Sequence, residues 1–174
     1  MPIPDLTFVL GGASSGKSFY AERLVLSSGK APVYLATAQS HDDEMTGKIA
    51  SHRARRGAEW QLVEAPLAIA GRFRTFRPDQ IILLDCLTLW LSNLMAAKRD
   101  IDAEITDLLV ALKTCPAQVV AVSNELGLGL VPTTPLGRAF RDWQGRLNQR
   151  VAAEAGAVTF IAAGLPLALK GALP

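Results

Sequence analysis

The residue types and spacing that most clearly predict chemistry lie near the start of the chain. Eight consecutive residues, Gly11, Gly12, Ala13, Ser14, Ser15, Gly16, Lys17 and Ser18, satisfy G-x-x-x-x-G-K-[ST] at every fixed position. In such a loop the glycines allow a tight turn whose backbone N–H groups point at phosphate oxygens, and the lysine reaches the β- and γ-phosphates. The segment therefore predicts a site for a purine nucleoside triphosphate, with Lys17 as a catalytic and phosphate-binding residue.

A carboxylate suited to a metal ion ends an apolar run further along the chain. Four consecutive Ile and Leu residues precede Asp85, as in the strand that holds Mg²⁺ opposite the phosphate loop of P-loop enzymes. An aspartate at a strand end is often only a helix cap, so this assignment depends on the loop being present. We expect the Ser18 hydroxyl and Asp85 to hold one Mg²⁺ ion.

A histidine among arginines is the second candidate for chemistry. On a helix predicted for Asp42–Arg56, spacings of three and four residues place His52 on the same stripe as two apolar side chains. Arg53, Arg55 and Arg56 disfavour a protonated imidazole, which leaves a neutral nucleophile, and they also suit bound phosphates. From these residues alone, a solvated basic helix whose histidine only packs remains an open alternative.

Strands and helices alternate along the chain and must position these residues. Strands are predicted at Leu6–Leu10, Pro32–Thr37, Gln61–Glu64, Ile81–Asp85, Gln118–Ser123 and Ala157–Ala163. The predicted helices are Lys17–Ser28, Asp42–Arg56, Pro66–Phe76, Leu87–Lys98, Asp102–Lys113 and Pro135–Ala155. This pattern predicts an α/β fold, a RecA-like P-loop NTPase whose mostly parallel central sheet has helices on both faces. With no repeat or linker in view, residues 1–174 are expected to form a single nucleotide-binding domain.

Bulk properties exclude several classes of protein. The chain is 49% hydrophobic and 20% charged, which is typical of a globular protein, and its net charge of +2 is too small to predict nucleic-acid binding. The most apolar stretch, Ile81–Ala97, is interrupted by polar residues and is too short for a spanning helix, so stable membrane insertion is not expected. No signal peptide is visible at the first residues. Cys86 and Cys115 are better explained by a reduced cytoplasmic location than by a disulfide framework.

The order of motifs resembles the bifunctional adenosylcobinamide kinase/adenosylcobinamide-phosphate guanylyltransferase family of cobalamin biosynthesis, from Leu10 to Lys170. The matching residues are Gly11–Ala13, Ser15–Ser18, Tyr34–Ala38, Asp43–Met45, His52, Arg56, Trp60, Glu64, Pro66, Leu84–Trp90, Val122–Glu125, Gly127, Gly129, Val131, Pro132, Phe140–Asp142, Gly145–Arg150 and Ala163–Pro166. One departure is Ser14, where members of that family usually carry Arg. The backbone cradle of the loop does not depend on that side chain.

The resemblance implies two reactions. Adenosylcobinamide is phosphorylated with ATP or GTP, and GMP is then transferred from GTP to the phosphate through a guanylyl-histidine, which the motif places at His52. It also implies nucleotide contacts from Ala36, Thr37, Ala38, Arg53, Ala54, Arg55, Arg56, Glu64 and Asp85. The corrinoid substrate is the expected partner, and a homo-oligomer, a trimer, is implied by the family alone.

Two segments stay ambiguous. The carboxylate of Glu64 can accept hydrogen bonds from the N1–H and N2 amine of guanine, but it could equally be a surface acid at a strand end. Asn124–Pro132, which is rich in glycine and follows a strand, could line the corrinoid or phosphate site or form a structural turn.

Two other classes of function remain as alternatives. One is a P-loop small-molecule kinase in which His52 is structural. The other is a RecA-like nucleotide-binding switch or assembly module, although the Asn-Lys-x-Asp element of switch GTPases is missing from the sequence.

Overall fold

A computed structural model of the protein describes residues 3–38 and 57–174. The strands are β1 Leu6–Gly11, β2 Ala31–Ala36, β3 Gln61–Glu64, β4 Gln80–Asp85, β5 Gln118–Asn124, β6 Ala157–Ala162 and β7 Leu165–Lys170. The α-helices are α1 Lys17–Ser27, α2 Leu87–Ala96, α3 Ile101–Thr114 and α4 Pro135–Glu154, and a 3₁₀ helix spans Ala70–Thr75. No helix within these described ranges is both long and apolar enough to cross a membrane.

All described strands belong to one seven-stranded sheet in the order β3-β2-β4-β5-β1-β6-β7. The first six strands are parallel, and only β7 pairs antiparallel, with β6. The carboxyl ends of β1 to β6 therefore share one edge, called here the catalytic edge. The strand β5 lies between the strand that leads into the phosphate loop and the strand that ends at Asp85.

Side-chain alternation divides the core between the two faces of the sheet. Val9, Val120 and Val122 pack with apolar residues of α1 on one face. On the other face, Phe8 and Ala121 pack with α2, α3, α4 and the 3₁₀ helix. The central strands are covered on both faces, which explains why their sequences are near-continuous runs of Val, Ile and Leu. The predicted α/β fold with helices on both faces is confirmed.

Three local features differ from the sequence expectations or lie beyond them. The segment predicted as an α-helix at Pro66–Phe76 instead contains the shorter 3₁₀ helix Ala70–Thr75, in which Gly71 weakens α-helical propensity. Phe76, just after this helix, packs edge-on against Phe73, with ring centroids 6.0 Å apart. The strand β7 was not predicted. The predicted helix Asp42–Arg56 lies outside the described residues.

Candidate functional site

The phosphate loop turns from the end of β1 into α1 at the catalytic edge. Gly16, at φ 94°, caps the helix in the left-handed region that favours glycine, and Ser14 is also left-handed at φ 56°. The amide of Ser15 donates to the Gly12 carbonyl at 3.3 Å. The amide of Gly164, in the β6–β7 turn, donates to the Ser15 carbonyl at 2.8 Å. The β6–β7 turn thus supports the phosphate loop from the side, although the residues of β7 itself are exposed.

Two glycines of the loop occupy very different space. A Cβ on Gly11 would lie 2.7 Å from the backbone carbonyl oxygen of Ile161 and 2.5 Å from the Ser15 Oγ, whereas a Cβ on Gly12 would meet nothing within 4 Å. Gly11 is therefore required by packing against β6. Gly12 is free of such contacts, and its open side is available to a ligand.

The loop carries an unsatisfied donor that suits a bound phosphate. The Oγ of Ser15 is buried and has no hydrogen-bond partner among residues 3–38 and 57–174. A buried hydroxyl without a partner carries a free-energy cost that an anionic oxygen ligand would remove. Together with the helix N-terminus that follows, this arrangement fits a nucleotide phosphate.

Lys17 begins α1 and folds back over the loop, where its Nζ donates to the Gly12 carbonyl at 3.0 Å. Partial burial lowers the pKa of Lys17, while the neighbouring Cys86 and Asp85 act in the opposite direction. The lysine is thus held at the loop and close to the Asp85 carboxylate before any ligand binds, with one hydrogen bond that a phosphate oxygen can replace.

Asp85 is oriented by an aromatic pair. The hydroxyl of Tyr34, on the adjacent strand β2, donates to Oδ2 of Asp85 at 3.0 Å. The Tyr34 ring is buried and lies edge-on to Trp60, with ring centroids 6.2 Å apart. Because Asp85 follows Leu83 at a spacing of two, it lies on the same face of the sheet as α1, which begins with Lys17 and Ser18.

The donor set fits a hard divalent cation. The Asp85 carboxylate and the Ser18 hydroxyl are oxygen ligands of the kind that Mg²⁺ uses together with substrate phosphates. No cluster of three or more His, Cys, Asp or Glu side chains that could hold a metal by itself occurs in the described parts of the chain. A Mg²⁺ site here would therefore depend on the nucleotide for further ligands.

The segment that follows β2 is fixed by buried hydrogen bonds. The hydroxyl of Thr37 donates to the Cys86 carbonyl at 2.7 Å and accepts from the Cys86 amide at 2.9 Å. The side-chain amide of Asn93 donates to the Thr37 carbonyl at 2.8 Å. Ala36, in register with Asp85, and Ala38 are thereby held at the catalytic edge.

Cys86 follows Asp85 but is not a nucleophile. Burial raises the pKa of Cys86 to about 12, and the charge of Asp85 adds to the effect. The thiol is therefore protonated near neutral pH and packs as a small apolar side chain. Cys86 and Cys115 are both free thiols.

Glu64 lies on the same edge but far from the loop. It is exposed and in register with Ala36, at the end of β3. Four strand spacings separate β3 from β1, which is on the order of 20 Å at 4.7–4.9 Å each. That separation is compatible with contact to the far end of a nucleotide and excludes contact with the phosphates at the loop.

The structure thus brings together the loop Gly11–Ser18, Asp85 and the Ala36–Ala38 segment, and places Glu64 at the flank. His52, Arg53, Ala54, Arg55 and Arg56 lie outside the described residues. Their predicted roles remain predictions.

Comparison with known proteins identifies the family. Residues 7–169 match the family model described as cobinamide kinase / cobinamide phosphate guanyltransferase. The chain belongs to this cobinamide kinase/guanyltransferase family. It is 48% identical over 166 residues to the bifunctional adenosylcobalamin biosynthesis protein CobP of Pseudomonas aeruginosa, covering 94% of this chain and 96% of that protein. It is also 40% identical over 183 residues to the bifunctional adenosylcobalamin biosynthesis protein CobU of Salmonella typhimurium, covering 95% and 99%.

Solved structures support the P-loop NTPase fold of this family member. The flagellar accessory protein FlaH from Methanocaldococcus jannaschii superimposes with a TM-score of 0.56 at 14% identity, covering 98% of this chain and 80% of FlaH. A type III secretion system ATPase of pathogenic bacteria superimposes with a TM-score of 0.57 at 11% identity, covering 95% of this chain and 57% of the ATPase. At such identities the likeness shows the shared fold alone. Because the chain belongs to a family of cobinamide kinases and guanyltransferases, it is an enzyme.

Sequence reasoning assigned no role to Tyr34 or Gly164, and it left Asn124 in the segment Asn124–Pro132, which could line the corrinoid or phosphate site or form a structural turn. Tyr34 orients Asp85, Gly164 supports the loop, and Asn124 lies beside Gly11 at the catalytic edge. An Ala-Gly pair followed by leucines at every second position was an available signal for the β6–β7 hairpin. Nothing in the sequence pattern pairs Tyr34 with Asp85, because 51 residues separate them.

Proposed function

We propose that this enzyme phosphorylates adenosylcobinamide with ATP or GTP and then transfers GMP from GTP to the product, giving adenosylcobinamide-GDP, at a single phosphate-binding loop. The observation that carries the proposal is the convergence of the loop, Lys17 and Asp85 on one edge of the sheet. One such cradle can hold the β- and γ-phosphates in both reactions, since only the phosphorus that is attacked differs.

In the kinase step the acceptor hydroxyl oxygen bonds to the γ-phosphorus. The bond from that phosphorus to the β–γ bridging oxygen breaks, the nucleoside diphosphate leaves, and the hydroxyl proton passes to solvent. Lys17 and the loop amides stabilise the charge that develops on the bridging oxygen. Lys17 is already positioned by the Gly12 carbonyl, so little reorganisation is required when the nucleotide binds.

In the guanylyl step a ring nitrogen of His52 bonds to the α-phosphorus and pyrophosphate leaves. An oxygen of adenosylcobinamide phosphate then attacks the same phosphorus, the nitrogen–phosphorus bond breaks, and neutral His52 is restored. The loop holds the pyrophosphate leaving group, and Arg53, Arg55 and Arg56 neutralise oxygens at the reacting phosphorus.

Ser18 and Asp85 would hold Mg²⁺, which supplies charge neutralisation of the phosphates when bound. Ala36, Thr37, Ala38 and Ala54 contribute nucleotide contacts in this proposal, and Glu64 contributes guanine contacts. We further propose a cytoplasmic homo-oligomer, a trimer, composed of one 174-residue domain per subunit, acting on a corrinoid rather than on nucleic acid or a membrane.

The His52→Ala variant tests whether the two reactions are separable. GMP transfer should be undetectable, whereas phosphorylation of adenosylcobinamide should remain within about tenfold of wild type, because the kinase step needs no covalent intermediate. Both products are measured by chromatography of the corrinoid after reaction with ATP or GTP. If the two activities fall equally while the unfolding temperature is unchanged, His52 is structural or shared by both steps, and its assignment to GMP transfer alone is wrong. Full retention of GMP transfer would contradict it equally.

A further inference from the structure

Asn124, the last residue of β5, is held by both of its neighbouring helices. Its backbone amide donates to the Thr88 Oγ1 of α2 at 2.8 Å. Its carbonyl accepts from the Asn148 side-chain amide of α4 at 3.0 Å. Capture of both backbone groups by side chains fixes the position and direction of this residue at the catalytic edge.

The groups that hold Asn124 are themselves restrained in a buried polar cluster. Ser123 Oγ donates to Asn148 Oδ1 at 2.8 Å, and Gln144 Nε2 donates to both Ser123 Oγ at 2.8 Å and Asn148 Oδ1 at 3.0 Å. Ser123, Gln144 and Asn148 are each 5% exposed or less. A buried hydrogen-bonded cluster of this kind specifies one arrangement of its members, because breaking any bond leaves a buried polar group unpaired.

The side chain of Asn124, in contrast, is left unsatisfied. Its Oδ1 is buried and has no hydrogen-bond partner among the residues that the structure describes. A buried carbonyl oxygen without a partner is unfavourable in the free protein, because it has lost its hydrogen bonds to water. Gln144 Oε1, in the neighbouring polar cluster, is also buried without a partner among the described residues, but only Asn124 lies at the edge where the phosphate loop and Asp85 meet.

The unsatisfied oxygen lies on the nucleotide side of the sheet. Asn124 follows Val122 at a spacing of two, so it shares the face that packs against α1. It is in register with Gly11, and the Glu125 amide donates to the Gly11 carbonyl at 3.1 Å. The strand β5 places it between the loop on β1 and Asp85 on β4.

We infer that Asn124 orients a bound reactant by accepting a hydrogen bond from an O–H group at the transferred phosphate. An amide oxygen can only accept, and phosphate oxygens at neutral pH offer almost no donor. The donor is therefore the hydroxyl of the acceptor substrate or a water on the nucleotide-bound Mg²⁺, and the inference rests on the proposed function. The amide takes no proton, so its contribution is orientation alone.

The Asn124→Ala variant tests this inference through a combination of turnover and stability. The kcat for phosphorylation of adenosylcobinamide should fall roughly 10- to 100-fold. The thermal unfolding midpoint should stay equal or rise, because the variant removes a buried acceptor that has no partner. The Asn124→Leu variant, of similar side-chain volume but without an acceptor, should lose phosphorylation to the same extent as the alanine variant.

Thr7→Val is the matched control. Thr7 Oγ1 is also buried without a partner, and Thr7 lies on the same face of the sheet, two residues before Val9. It is four residues before Gly11, about 13 Å away along β1. Removing its hydroxyl should leave both activities within about twofold of wild type and should not lower the unfolding midpoint.

Two further measurements distinguish the sources of the O–H group. If the donor is the acceptor hydroxyl, GMP transfer stays within about twofold of wild type, since its acceptor atom is a phosphate oxygen, and the Mg²⁺ dependence of binding a fluorescent GTP analogue is unchanged. If the donor is a metal-bound water, both steps decline and half-maximal nucleotide binding requires several-fold more Mg²⁺. Either result supports the inference.

A lower unfolding midpoint, equal losses in both steps with an unchanged Mg²⁺ requirement, or no loss in either step would overturn the inference. Failure of the proposed function is recognised separately. In that case the wild-type protein itself produces no phosphorylated corrinoid. The Mg²⁺ dependence of binding the fluorescent GTP analogue needs no corrinoid, so comparing it between wild type and Asn124→Ala still tests the role of Asn124.

Discussion

The centre and the flank of the catalytic edge are built differently. At the centre, Lys17, Asp85 and Asn124 are each held by a contact from another segment or element, at 3.0 Å or less. At the flank, Glu64 ends a four-residue strand whose residues are exposed or half-buried. The phosphate loop and its neighbours are therefore preorganised within the described structure, whereas the proposed discrimination between bases would depend on a side chain that the fold restrains less.

The difference has a consequence for the two proposed reactions. Preorganised groups act with little reorganisation at the moment of reaction, which is where electrostatic catalysis is most effective. Both reactions require stabilisation of a phosphate leaving group, and that requirement is met at the centre. Changes to Lys17 or Asp85 should therefore affect both steps together, and changes at the flank should alter only the choice of nucleotide.

The largest expected effect at the centre comes from Lys17→Met. Loss of the ammonium group should weaken GTP binding and reduce both activities by at least roughly 100-fold. Equilibrium binding of a fluorescent GTP analogue and the two product assays measure this directly. Wild-type GMP transfer in this variant, with phosphorylation abolished, would show that the two reactions use different phosphate sites.

The same variant should be no less stable than wild type without nucleotide. Burial lowers the pKa of Lys17, so the folded protein disfavours the charged form relative to the unfolded chain. That cost is complete at pH values below the folded pKa and disappears as pH rises through it toward 10.5. Relative to wild type, the unfolding midpoint of Lys17→Met should be equal or higher at pH 7, and the difference should shrink above pH 10. A midpoint several degrees lower at pH 7 would contradict this.

A smaller effect separates packing from ligand binding within the loop. Gly11→Ala places a Cβ 2.7 Å from the Ile161 carbonyl oxygen, which cannot move without distorting β6. The free energy of unfolding should therefore fall by about 1–3 kcal/mol. Gly12→Ala is the matched control, because nothing lies within 4 Å of its Cβ, and its stability should change by less than about 0.5 kcal/mol. Urea unfolding of the two variants decides the matter, and equal destabilisation would disprove the packing role of Gly11.

The smallest expected effect is at the flank. Glu64→Gln should weaken GTP relative to ATP by roughly tenfold, because the amide replaces an acceptor oxygen with a donor that opposes the guanine N2 amine. The ratio of kcat/KM for the two nucleotides in the kinase step is the measurement. Glu59→Gln changes another exposed acid, in the turn before β3, and should leave the ratio unaffected. An unchanged ratio in the Glu64 variant would remove that residue from guanine recognition.

The buried strands could be predicted closely from the sequence. Their Val, Ile and Leu runs are bounded by turn residues. The predicted last residues of β1 and β5 and the predicted first residue of β4 each differ from the observed one by a single position. The loop Gly11–Ser18 and its position between a strand and a helix follow from a spacing pattern with a direct physical meaning.

Features that depend on distant pairs could not be predicted in this way. The bond from Asn124 to Thr88 spans 36 residues and that from Tyr34 to Asp85 spans 51, and no periodicity encodes either. The strand β7 escaped prediction because Pro166 lies within it and every one of its residues is exposed. The 3₁₀ helix was read as an α-helix because its apolar residues also satisfy a spacing of three and four.

The most direct test of a shared cradle with a histidine carrier uses GTP labelled at the α-phosphate and, in parallel, at the γ-phosphate. The purified protein is incubated with each and with Mg²⁺, then denatured and assayed for label that remains on the polypeptide. The account predicts that only label from the α-position remains on the denatured polypeptide. This label is released in acid but not in base, and it is present in wild type and absent from both His52→Ala and Lys17→Met. Label from the γ-position, or α-label that persists in the His52 variant, would contradict it.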